Sequence, residues 1–133
     1  MDEREAATKL LALLGLAQRA GQLAVGASAV EKLVRRGKRP LVVVAHDAGA
    51  TQRRRYIGLQ PVHGFVSGLV GRAELAAALG RRDLAIVAVR DPGFVAGIDR
   101  LGATTAPIDA KANERPQQPA RRGEDSGAKR RSR

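Results

Sequence analysis

"AVGASAVEKLVRRGKRPLVVVAHDA", residues 24–48, carries two periodicities back to back. Val30, Leu33 and Val34 fall at i, i+3 and i+4, the spacing of one buried helix face. Gly37 and Pro40 then end that pattern. "LVVVA", residues 41–45, follows as a continuous apolar run, which is how a strand buried on both faces reads. Such a strand needs helices above and below its sheet, so the stretch predicts an α/β fold in three layers. Ser28, Lys32, Arg35 and Arg36 fall on the opposite side of the predicted helix, which spans 27–36 just after Gly26.

The flanking sequence repeats the alternation. "EREAATKLLALLGLAQRA", 3–20, places Leu10, Leu13, Leu14 and Ala17 at helical spacing, with Gly21 as a C-cap. "QLAVG", 22–26, is a short extended piece. "ATQRRRYI", 50–57, reads as a short helix, and "PVHGFVSGLV", 61–70, as a glycine-interrupted strand or loop. "RAELAAALG", 72–80, is a helix stopped by Gly80, and "DLAIVAV", 83–89, is a second buried strand. "PGFVAGIDRL", 92–101, opens with Pro92 at a helix start. The order α-β-α-β-α-β-α-β-α predicts an α/β/α sandwich over residues 1–102. Residues 103–133 hold a single large apolar residue, Ile108, and cannot build a core. They are expected to form a disordered basic tail, either a solubilising end or a non-specific RNA-binding arm.

Composition narrows the function classes. The chain has 133 residues, the size of one domain, and no cysteine, which excludes disulfides and thiolate chemistry. The formal net charge is +11. The tail contributes eight basic and four acidic residues, so the segment 1–102 is basic in its own right. Such an excess favours polyanions, nucleic acid first and an anionic membrane surface second. Only three aromatic residues are present, too few and too scattered for a base-stacking platform. No apolar run approaches a membrane span, and "MDEREAATK" lacks the basic and apolar regions of a secretory signal, so a cytoplasmic location is expected.

Short motifs add little chemistry. His46 and His63 stand alone, without metal-ligand spacing. His46 beside Asp47 at a strand end suggests a hydrogen-bonded pair or a catalytic position, but no nucleophile accompanies them. Arg53–Arg55 reads as a phosphate grip or a solvated helix start. "GLVG", 68–71, has the form of a KH-domain loop without its helical context, and marks turns. No nucleotide-binding glycine motif occurs, so no cofactor is expected, and no acid–base constellation points to an enzyme. The helix start after Gly26 differs, because unpaired N–H groups there accept an anion and glycine lets a backbone approach.

"LLGLAQRAGQLAVGASAVEKLVRRGKRPLVVVAHDA" and "ELAAALGRRDLAIVAVRDPGF" together resemble the ribosomal L-seven-Ae/L-thirty-e/S-twelve-e superfamily of kink-turn RNA binders. The likeness is closest to its small bacterial ribosomal-like members and covers about residues 10–101. It implies a four-stranded mixed sheet within the three layers, and an RNA partner, ribosomal or otherwise structured. It also implies an RNA surface from two places, the turn into the second helix and the loop after the last core strand. Here these are Gly26, Ala27, Ser28, Ala29 and Lys32, with Arg35 and Arg36 beyond, and Val89, Arg90, Asp91, Pro92 and Gly93.

One departure stands inside the motif. Ser28 and Ala29 occupy the places where kink-turn binders carry an Asn-Glu pair that reads guanine edges. Loss of bidentate readout costs roughly 1–3 kcal/mol per pair, by analogy with DNA base contacts. Charge-driven affinity survives that loss while specificity falls. The expectation is a ribosome-associated, monomeric RNA-binding protein without catalysis. The alternative is an interaction or structural domain on the same fold that has lost specific readout.

Overall fold

The computed structural model of the chain describes residues 2–107. Five helices alternate with four strands: α1 (Glu3–Arg19), β1 (Leu23–Val25), α2 (Ala27–Arg35), β2 (Leu41–Val44), α3 (Ala50–Ile57), β3 (Gly64–Val66), α4 (Arg72–Leu79), β4 (Ile86–Val89) and α5 (Pro92–Asp99). This is the predicted order. Within "PVHGFVSGLV" only Gly64–Val66 is strand, because glycine and proline interrupt pairing on either side.

The sheet order is β1-β4-β2-β3. β4 runs antiparallel to both neighbours, β1 and β2, whereas β2 and β3 are parallel. The sheet is therefore mixed and four-stranded, as the resemblance implies. Alternate side chains of the buried strands go to opposite layers. Leu41, Val43, Val87 and Val89 pack with Leu10 and Leu14 of α1, Leu75 and Leu79 of α4, and Ile98 of α5. Val42, Val44, Ile86 and Ala88 pack with Val30, Leu33 and Val34 of α2 and Tyr56 of α3. Each such fully buried large side chain stabilises by about 1.5–3 kcal/mol.

The two edges of the sheet differ. On the outer edge of β3, Thr105 donates its amide to Phe65 O at 2.7 Å, and the Phe65 amide returns a bond to Thr105 O at 2.9 Å. Gly64 makes this closure fit, since a Cβ there would meet Thr104 Cγ2 and Thr105 O at 2.8 Å. The Thr104 hydroxyl donates to Asp99 Oδ1 at 2.8 Å, tying the segment to α5. Ordered packing thus continues past residue 102, where the composition changes, because β3 offers an unpaired edge. The expected disorder of the tail concerns, beyond this, residues 108–133, which lie outside the described residues. Among the described residues no helix is long and apolar enough to cross a membrane.

Candidate nucleic-acid interface

Gly26 ends β1 with φ +92° and ψ 162°, a backbone that L side chains rarely adopt, and serves as the N-cap of α2. Its carbonyl accepts the Val30 amide at 3.0 Å and starts the helix. No side chain caps the first turn, so Ser28 is not the N-cap but the second helical residue, and it is exposed. The amides of Ala27, Ser28 and Ala29 precede the first intrahelical bond and have no acceptor within the helix. Val30, Leu33 and Val34 turn inward, which leaves Lys32, Arg35 and Arg36 exposed. Glu31 pairs with Arg55 of α3 at 2.7 Å and braces the helix against its neighbour. That pair takes one arginine out of the Arg53–Arg55 run.

The Gly26 amide donates to Ile86 O at 3.0 Å. The turn therefore lies beside the beginning of β4, because β1 and β4 are antiparallel. The segment leading into β4 carries Arg81 and Arg82, both exposed. Asp83 between them and the strand accepts Arg72 Nε at 2.9 Å and a second bond from Arg72 Nη2. The Arg72 guanidinium holds the Asp83 carboxyl below the usual carboxylate range. Arg72 N–H in turn donates to Asp47 Oδ1 at 2.8 Å, and Ala45 N–H to Ala85 O at 2.9 Å, so the end of β2 reaches the same rim. Arg53 Nη1 donates to His46 O at 3.4 Å and brings one more cation to this end. The sequence reading missed Arg81 and Arg82. Their signal, two arginines before a buried strand, was visible, but their place at the Gly26 end of the sheet depends on strand direction.

The second predicted segment lies apart from the Gly26 turn. Val89 is fully buried in the core, so its side chain cannot meet a ligand. Asp91 is the N-cap of α5 and accepts the amides of Gly93 at 3.0 Å and Phe94 at 3.1 Å, with Pro92 in the first turn. Asp91, Pro92 and Gly93 thus have a local folding role. This segment also lies at the other end of β4 from the turn: Arg90 N–H bonds Gln22 O, four residues along β1 from Gly26, about 13 Å at the strand rise. Arg90 nevertheless joins the basic side of α2 by another route. A groove of about 240 Å³ between α2 and the edge strand β1 is lined by Ala29, Lys32, Arg36 and Arg90 over Leu23, Ala24, Leu33 and Gly21.

The remaining candidates find structural partners. Asp47 caps α4 through Arg72 N–H. His63 Nε2 donates to Asp99 Oδ2 at 2.8 Å. Burial pushes the Asp99 carboxyl up, but the hydrogen bonds from Thr104 and His63 and the His63 charge outweigh it and hold it below the usual range. Among the described residues no group of His, Cys, Asp or Glu is arranged to hold a metal ion.

The sequence profile of the ribosomal protein L7Ae/L30e/S12e/Gadd45 family matches residues 8–96, from α1 into α5. The chain belongs to this family. A solved structure of a protein with unknown function from Bacillus halodurans C is 33% identical, with TM-score 0.61, over 70% of this chain and 95% of that one. The Giardia lamblia 15.5kD RNA binding protein shares the fold at TM-score 0.53 and 18% identity, over 73% of this chain and 84% of its own. No curated protein matches. The family span takes in the Gly26 turn, α2 and the Arg81–Arg82 segment, and leaves out the chain after residue 96.

Proposed function

We propose that this member of the L7Ae/L30e/S12e/Gadd45 family binds structured RNA at the end of the sheet where the Gly26 turn meets the start of β4. The observation that carries the reading is the Gly26–Ile86 bond, which sets the start of α2 and the segment that carries Arg81 and Arg82 at one end of the sheet. The amides of Ala27, Ser28 and Ala29 receive a phosphate or a base edge, and Gly26 lets the RNA backbone come close. Lys32 neutralises the next phosphate along α2, and Arg81, Arg82 and Arg53 hold the strand across the rim. Family membership and the fold shared with the Giardia protein support RNA as the ligand.

The finer reading is a kink-turn-like target in a ribosome-associated particle. It rests on the resemblance of "VGASAVEK" to the family's RNA-facing turn. Ala29 favours a second reading at this level, in which RNA is held by charge and shape alone, because a methyl group makes no base-edge hydrogen bond. Titration of the full chain with a kink-turn RNA and a matched straight duplex at two salt concentrations separates the two. Preference for the kink-turn that persists at the higher salt supports specific readout. Equal affinities that fall together with salt reduce the function to phosphate binding.

A further inference from the structure

The edge of β1 has a chemistry that RNA binding at the turn does not use. Gly26 N–H bonds Ile86 O and Arg90 N–H bonds Gln22 O. In an antiparallel ladder the residues that face the partner strand alternate, so Gln22, Ala24 and Gly26 address β4. Leu23 and Val25 therefore direct their N–H and C=O groups away from the sheet. Neither has a backbone partner on that side among the described residues. The opposite edge of the sheet is closed by Thr105 on Phe65. Beside the open edge runs the groove against α2, with an apolar floor of Ala24 and Leu33 and a rim of Lys32, Arg36 and Arg90. No acidic residue lines it.

We infer that this groove takes an extended acidic peptide segment of a partner protein, added as a strand on β1. Outward main-chain groups supply the pairing that β-strand addition uses, and the small apolar floor accepts alternate side chains. The cationic rim selects the charge. It also disfavours a second copy of this chain, whose own β1 edge would bring an identical set of cations against the first. RNA would use the rim but would leave the apolar floor and the main-chain acceptors unanswered.

The test follows backbone amide exchange in the full-length protein with a blocked Glu-Val-Glu-Val-Glu-Val-Glu peptide as probe. The proposal expects the Leu23 and Val25 amides to slow by about tenfold or more at saturation, while Ala24, already bonded to β4, changes little. A peptide with proline replacing the central valine keeps the charge but lacks one donor, and should lose the protection. A Lys-Val peptide of the same pattern should not bind there. The exposed substitutions Arg36→Gln and Arg90→Gln together should weaken the Glu-Val peptide severalfold. Exchange unchanged at Leu23 and Val25 overturns the proposal, as does equal protection by the proline or lysine peptides. Protection that rises with protein concentration alone assigns the edge to self-association and also overturns it. So does protection by a duplex RNA that displaces the peptide, which would give the groove to nucleic acid. The Arg81 and Arg82 variants of the RNA site leave this result unaffected, so the two readings fail separately.

Discussion

The Gly26 amide donates to the carbonyl of Ile86 at 3.0 Å, across the last rung of the β1/β4 pair. That single bond decides which loops share a surface with the α2 turn. It brings the segment before β4 to the turn and sends the segment after β4 to the far end. Six basic residues of the domain therefore fall in two places. Arg81, Arg82 and Arg53 lie toward the end of the sheet that holds the turn, and Lys32, Arg36 and Arg90 line the groove.

Gly64→Ala should destabilise the domain by roughly 1–3 kcal/mol, the range for overpacking a close contact. The added methyl would stand 2.8 Å from both Thr104 Cγ2 and the Thr105 carbonyl oxygen. Denaturant unfolding gives the magnitude. Faster amide exchange at Phe65 and Thr105, ahead of the core strands, would locate the damage on the β3 edge.

Asp83→Asn should separate stability from binding. The Arg72–Asp83 pair is exposed, and such pairs stabilise by about 0–1 kcal/mol, so the thermal midpoint should move little. The pair holds the segment that carries Arg81 and Arg82. Its loss should weaken RNA binding severalfold and raise mobility at 81–85, measured by NMR relaxation. Unchanged binding would show that the segment needs no such tether.

Acid should reveal the His63–Asp99–Thr104 cluster. The folded-state pKa of Asp99 lies below its ordinary value. Its contribution is therefore fully present above the unfolded carboxylate pKa of about 3.9, and is lost as pH falls through the depressed folded value. Asp99→Asn should lower stability at neutral pH and flatten the fall of the thermal midpoint below about pH 4. A variant with the unaltered acid slope would place the linkage on another carboxylate.

The fold was legible wherever a local period carried it. Leu10, Leu14 and Ala17 marked α1, and the runs 41–45 and 83–89 marked β2 and β4. The edge strand β3 was faint because Gly64 trades strand propensity for room against Thr104. The Gly26 turn and the exposed face of α2 were legible as well, since a glycine before an amphipathic basic helix is a local pattern. The other half of the site was not. Whether Arg82 or Arg90 lies at the Gly26 end of the sheet depends on the antiparallel pairing of β1 with β4, strands separated by some sixty residues. The sequence "RDPGF" did contain its own explanation, because Asp before Pro is a helix N-cap followed by its first residue. The burial of Val89 was legible too, since a strand residue inside a continuous apolar run belongs to the core.

The most direct measurement compares RNA affinity of the full chain with those of two variants, Arg81→Gln/Arg82→Gln and Arg90→Gln, across a salt series. The Gly26-end account predicts that the double variant loses most of the affinity and lowers the salt slope by about two, about one for each phosphate contact removed. Arg90→Gln should stay within about twofold of the unaltered chain. The opposite order, with Arg90→Gln the more damaging change, would move the RNA to the far end of β4 and contradict the account.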